Sequence, residues 1–252
     1  MTQTTMDGNK AFQSRLKPET RNQKPTSSSS LGLLMLQTTF PRILGDVGHA
    51  GTFAFPVRYK VIKGASPSRV VRQADPALIG PFIRAARELE EEGAALIGSS
   101  CGFLVLFQSQ LAQAVQIPVF SSSLLQVPMV QASLPSSALV GILTACADSL
   151  GPAHMQAAGI DSTRVAVAGL QQQPEFSRVF LGGAVDLDVE RCRQEVVQAA
   201  LGLAENRRVR AMVLECTNLP PYAADIRQAT GLPVFDVCTM LETAYSSLYS
   251  RP

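Results

Sequence analysis

The stretch Ala94-Ala95-Leu96-Ile97-Gly98-Ser99-Ser100-Cys101-Gly102-Phe103 passes from continuous apolar character into small polar residues and one cysteine. A strand buried on both faces of a parallel sheet reads this way as it leaves the sheet. Its counterpart lies far downstream, in Ala211-Met212-Val213-Leu214-Glu215-Cys216-Thr217-Asn218. Cys101 precedes Pro118 of Ile117-Pro118-Val119-Phe120 by 17 positions, and Cys216 precedes Pro233 of Leu232-Pro233-Val234-Phe235 by the same 17. Without a gap, that register also pairs Leu104 with Leu219, Leu111 with Ile226 and Gln113-Ala114 with Gln228-Ala229. A repeat this long exceeds a solenoid unit and predicts two halves of like fold, each carrying one cysteine at the same structural place.

Working outward, Leu31 to Leu36 is another short apolar run, Val57 to Ile62 a second strand, and Leu78, Phe82, Ala86 and Leu89 form one face of a helix that Gly93 ends. Pro81 falls inside that helix and requires a start near Gly80 or a kink. A helix follows over about 103–115, then a strand at Pro118-Val119-Phe120. The second half replays this order through Ala138 to Thr144, Arg164 to Leu170, and a helix capped by Asp188 with Val189, Cys192, Val196, Ala199 and Leu203 on its buried stripe. Strands alternating with helices predict an α/β fold of two pseudo-symmetric parallel-sheet domains facing across a central cleft. The expected division is a disordered N-terminal tail over 1–30, a first α/β domain over 31–135 together with the C-terminal helix 236–252, and a second α/β domain over 136–235.

Composition narrows the function. The net charge of +2 comes from a tail holding Lys10, Arg15, Lys17, Arg21 and Lys24 against Asp7 and Glu19, which leaves the rest at −1 and predicts no nucleic-acid or membrane surface. The five cysteines, at 101, 146, 192, 216 and 238, form no C-x-x-C and have no histidine at ligand spacing, so no metal and no cofactor is expected. An odd cysteine count without a signal-peptide stretch predicts a reducing, cytoplasmic location.

In an open parallel sheet, ligands sit outside the carboxyl ends of the strands, where both Cys101 and Cys216 lie. Each is at a turn into a helix, whose free N–H groups can hold a carboxylate and lower a thiol pKa below about 8.5. Two thiols on opposite sides of one cleft can remove a proton from one face of a carbon and return one to the other.

Ser99-Ser100-Cys101-Gly102-Phe103 with Glu215-Cys216-Thr217-Asn218, in two α/β halves, resembles the aspartate/glutamate/hydantoin racemase superfamily, whose members work without pyridoxal phosphate. The resemblance covers about residues 31–250 and implies a cofactor-independent racemase or epimerase acting at the α-carbon of a small carboxylate or amino-acid-like substrate, an isomerase of amino-acid metabolism. Thr217 matches the family; Asn218 stands where many members have His or Glu, and Gly102-Phe103 where they have Asn-Thr. The family also implies alternatives: a decarboxylase or a cis-trans isomerase of a small dicarboxylate using one cysteine, or a homologue that binds a small ligand without catalysis.

Cys101 and Cys216 are therefore the expected catalytic pair. Gly102, Phe103, Ser122, Thr144, Thr217, Asn218 and Asp46 are expected to bind substrate, the hydroxyls as carboxylate ligands at strand ends and Asp46 from a Gly-rich loop, where it could equally cap a turn. Glu215 adjoins Cys216, but strand alternation points it to the opposite face. Of the two histidines, His49 is the better candidate for the cleft. Gly98-Ser99-Ser100-Cys101-Gly102 also fits G-x-S-x-G, yet the only histidine downstream is His154, too early for that fold. The expected partner is a small carboxylate, and a homodimer is allowed for.

Overall fold

The structure, a computed structural model, describes residues 29–248. Residues 1–28 of the expected tail lie outside the described residues, and Ser30 already belongs to the first strand. The first half contains β1 (Ser30–Leu36), β2 (Val57–Ile62), α1 (Ile79–Glu91), β3 (Ala94–Ser99), α2 (Gln108–Ala114), β4 (Val119–Phe120) and α3 (Val127–Ser133). The second contains β5 (Leu139–Thr144), α4 (Pro152–Ala157), β6 (Val165–Gly169), α5 (Val189–Ala204), β7 (Val209–Leu214), α6 (Ala223–Thr230), β8 (Val234–Phe235) and α7 (Val237–Ser247).

Each half is a four-stranded, wholly parallel sheet, with order β2-β1-β3-β4 in one and β6-β5-β7-β8 in the other. The copy extends to irregularities: the register slips between Ser30 and Leu31 against β3, and between Leu139 and Val140 against β7. The central strands β1, β5 and β7 are buried along nearly their whole length, as their largely apolar sequences require, with Arg210 of β7 the exposed exception. Gly32 and Gly141 hold equivalent places where the covering helix comes closest; a Cβ at Gly32 would press on Leu89, and one at Gly141 on Leu203.

The difficulty at Pro81 resolves locally. Asp75 accepts a hydrogen bond from Ala77 N and caps a 3₁₀ turn over Pro76–Leu78, so α1 starts at Ile79 and Pro81 sits in its first turn, where no intrahelical donor is lost. Asp188 caps α5 as expected, accepting from Arg191 N at 3.0 Å. The buried stripe of α5 is Cys192, Val196, Ala200 and Leu203; Val189 is exposed. The helix expected over 103–115 is instead a 3₁₀ turn, Gly102–Phe107, leading into α2.

The last helix of each half packs on the other half's sheet. Val127 and Val130 of α3 join the core of Val140, Ile142, Ala211 and Val213, while Val237, Met240 and Leu241 of α7 pack on Leu31, Leu33 and Leu96. This exchange ties the sheets together, and two hydrogen bonds between strand ends reinforce it: Ser123 Oγ donates to Leu214 O at 2.6 Å, and Thr217 Oγ1 to Ser100 O at 2.7 Å. Among the described residues no helix is long and apolar enough to cross a membrane.

Candidate active site

The carboxyl ends of β3 and β7 meet head to head. Past β3, Ser100 N donates to Leu34 O and Leu104 N to Cys101 O; past β7, Glu215 N donates to Leu143 O and Leu219 N to Cys216 O. The same backbone turn thus presents Cys101 from one side and Cys216 from the other into a cavity of about 30 Å³. Cys101, Gly102, Phe103, Cys216, Thr217 and Asn218, six of the nine expected residues, line it together.

The other three do not line it, and their hydrogen bonds show why. Ser122 Oγ accepts from Leu124 N, capping a 3₁₀ turn, and the Thr144 hydroxyl donates to Glu215 Oε2 at 2.7 Å. Asp46 is buried behind Asn218, pairing with Arg42 at 2.7 Å and accepting from Asn218 Nδ2 at 2.6 Å. Thr217 lines the cavity, but its hydroxyl proton is given to Ser100 O. The hydroxyls expected to serve a substrate carboxylate thus have protein partners of their own: Thr144 and Thr217 donate to the protein, and Ser122 Oγ accepts in a cap.

Asp46 fixes the orientation of Asn218. A carboxylate only accepts, so the Asn218 amide nitrogen faces Asp46 and its oxygen faces Cys216, whose thiol donates to it at 3.6 Å. Among the described residues Cys101 has no such side-chain acceptor; the N–H groups of Phe103 and Leu104 point at its sulfur and favour the anion, as the single N–H of Asn218 does at Cys216. The two thiols, equivalent by fold, differ in environment.

Glu215 is the residue that strand reasoning misplaced. β7 ends at Leu214, so the alternation that would turn Glu215 away no longer applies, and its side chain lines the cavity with both cysteines. It is fully buried; Thr144 Oγ1 and the Ala145 N–H bind the carboxyl, while Oε1 has no hydrogen-bond partner among the described residues. Burial pushes its carboxyl up to about 7, against the pull of those two donors. Burial also pushes both thiols up, and the Glu215 charge adds to the effect. The expectation that turn N–H groups would lower the thiols is thus overturned, because desolvation outweighs them.

The rest of the wall is mostly apolar, includes Leu36, Val71 and Leu181 with the rings of Phe40 and Phe180, and comes from distant segments. Phe40 and Phe180 pack edge to face with centroids 5.1 Å apart, and Phe103 is held edge to face by His154 at 5.1 Å. His154 backs the wall, and His49 accepts from Gly51 N in its own loop. Nothing in the local sequence marks Phe40 or Phe180. Glu215 did carry a signal: in the repeat register it replaces Ser100, a charged residue in a small residue's place.

A sequence profile of the Asp/Glu/hydantoin racemase family matches residues 63–242. Over 237 residues the chain is 32% identical to a dimethylsulfoniopropionate lyase of Durusdinium sp. clade D, covering 91% of this chain and 78% of that one. It is 35% identical over 234 residues to dimethylsulfoniopropionate lyase 3 of Emiliania huxleyi (strain CCMP1516), covering 88% of this chain but only 61% of the relative, so it spans about three fifths of that protein's length. The fold is similar to that of glutamate racemase isoform RacE1 from Bacillus anthracis, with a TM-score of 0.55 at 15% identity over 88% of this chain and 83% of that one. The chain belongs to the Asp/Glu/hydantoin racemase family.

These relatives overturn the expected racemase or epimerase, its isomerase class and its place in amino-acid metabolism: proteins at this level of identity are named lyases. The physical reason is plain. Paired thiols provide for removal of an α-proton, a step that elimination shares with racemisation, and nothing in the pair dictates what happens to the carbanion.

Proposed function

We propose that this member of the family is a lyase that splits dimethylsulfoniopropionate, or a closely related β-sulfonio carboxylate, into an unsaturated acid and a dialkyl sulfide. One observation carries the reading: two buried thiols share a largely apolar cavity whose lining includes Phe40, Phe103 and Phe180. The substrate has an acidic hydrogen beside its carboxylate and a dimethylsulfonium group on the next carbon. A base removes the hydrogen, the electron pair forms the carbon–carbon double bond, and the carbon–sulfur bond breaks with its electrons leaving on sulfur. The leaving sulfide is neutral and needs no proton, so one base suffices.

The asymmetry of the thiols supports Cys101 as that base. Its sulfur faces two backbone N–H groups against one, that of Asn218, at Cys216, whose thiol also donates to the Asn218 side-chain oxygen. Phe40, Phe103 and Phe180 suit the methylated sulfonium, since ring faces attract such cations by about 0.5–2 kcal/mol. The single-turn segments Ser68–Arg72 and Ser177–Leu181 contribute Val71, Phe180 and Leu181 to the cavity wall. The five free cysteines, all buried and none in a disulfide, support a reducing, cytoplasmic location.

The test is release of dimethyl sulfide from dimethylsulfoniopropionate, followed by headspace gas chromatography, with the unsaturated acid followed by proton NMR. Wild-type protein should release both; Cys101→Ser should lose at least about 1000-fold, as expected for loss of the group that takes the proton. No dimethyl sulfide from the wild type sinks the proposal, and an active Cys101→Ser variant sinks the choice of base.

A further inference from the structure

We propose that Glu215 is the proton acceptor of the cavity: its free Oε1 takes the thiol proton of Cys101 as that sulfur takes a proton from the substrate, and the carboxyl then releases it to solvent. For the substrate the proposal rests on the lyase reading above; for the thiol it stands apart.

The placement follows from the repeat. Ser100 and Glu215 hold the same position, and each accepts from an equivalent N–H, that of Leu36 for Ser100 Oγ and that of Ala145 for the Glu215 carboxyl. Serine is satisfied within its own half. Glutamate is longer, so one oxygen is bound by Thr144 while the other extends past the strand end. It lies over Gly102, beside Cys101: a Cβ on Gly102 would overlap both Oε1 and the backbone oxygen of Glu215. A buried, unpartnered carboxylate oxygen needs a donor, and the thiols of Cys101 and Cys216 line the same cavity and feel its charge. Asp46 and Arg42 form a mutual pair behind Asn218. Because burial lifts both thiols well above neutrality and the carboxyl only to about 7, the carboxylate is the group here able to accept a proton at neutral pH.

The protons balance. The Cys101 S–H bond breaks and its proton joins Glu215; the substrate C–H bond breaks and its proton joins the Cys101 sulfur. Double-bond formation expels the sulfide, so Cys101 ends as a thiol and Glu215 as an acid. Loss of one proton from Glu215 resets the site and matches the proton that this elimination releases.

Two readouts test this in wild type, Glu215→Gln and Glu215→Asp: the rate of Cys101 alkylation by iodoacetamide at pH 7.5, followed by peptide mass spectrometry, and the pH profile of dimethyl sulfide release. A carboxylate that merely repels a thiolate would make the Gln variant react faster. A proton acceptor makes it react at least about tenfold slower, with kcat down about 100-fold, KM within threefold, and the acid limb near pH 7 gone; Asp should restore part of each. Equal or faster alkylation in the Gln variant overturns the proposal. If wild type releases no dimethyl sulfide, the lyase reading fails while alkylation still decides the role of Glu215. Should the Gln variant not fold, Thr144→Val keeps the carboxyl and strips a donor from it, so the acid limb must rise by about one pH unit; an unmoved limb overturns the proposal.

Discussion

Glu215→Gln should stabilise the protein above neutrality and lose that advantage in acid. The buried carboxyl is raised from its ordinary 4.5 to about 7. At about 1.36 kcal/mol per pK unit, ionising it in the folded state costs roughly 3 kcal/mol. The sign is fixed by linkage. Between pH 4.5 and 7 the folded chain binds more protons at this site than the unfolded chain, so stability is fully present below the unfolded pKa and falls as pH rises through the folded one. The Gln variant has no such dependence. Each kcal/mol moves the thermal midpoint of a domain this size by about 2–4 °C. About 2.5 kcal/mol of that cost falls between pH 5 and pH 8, so the midpoint difference, variant minus wild type, should grow by about 5–10 °C over that range. Differential scanning calorimetry of both proteins in matched buffers measures it, and taking the difference cancels His154, whose pKa is lowered by burial. A difference that changes by less than about 2 °C, or shrinks toward alkaline pH, would refute a buried, near-neutral carboxyl here.

Gly102→Ala should wedge the two strand ends apart, since its Cβ meets the Glu215 backbone and carboxylate; overpacking of this kind costs about 1–3 kcal/mol, read as a lower urea midpoint together with loss of lyase activity. Asp46→Ala leaves Arg42, whose side chain is 12% exposed, without its partner and frees Asn218 to rotate; a loss of about 3–5 kcal/mol in chemical denaturation is expected. Phe180→Ala removes a buried ring from the cavity wall and the contact with Phe40. It should cost about 3–5 kcal/mol of stability and raise KM for the sulfonium substrate more than it lowers kcat, as steady-state kinetics would show.

The reach of the sequence is clear at particular residues. Unbroken apolar runs such as Leu31–Leu36 read as doubly buried strands, and the shared spacing from Cys101 to Pro118 and from Cys216 to Pro233 repeats because the same strand–helix–strand unit is built twice. Caps such as Asp188 are local, so they too are legible. The stripe on α5 was read one residue off at Ala199, because which of two adjacent alanines faces inward depends on how the helix rolls against its sheet.

Side-chain orientation beyond the strand ends was not legible. Once β7 stops at Leu214, period-two alternation lapses, and the direction of Glu215 is set by Thr144 and Ala145 from a neighbouring strand. The hydroxyls of Thr144 and Thr217 looked free in one dimension and prove engaged in three. Phe40 and Phe180 meet only because each half folds its loops over the other's strand ends. The sequence by itself determined two like halves with a thiol at each strand end, since period and hydrophobicity are local properties of the chain. Only the tertiary structure decided that a carboxylate with one unpartnered oxygen lines the same cavity as those thiols, because that depends on which groups from opposite halves satisfy one another once water is gone.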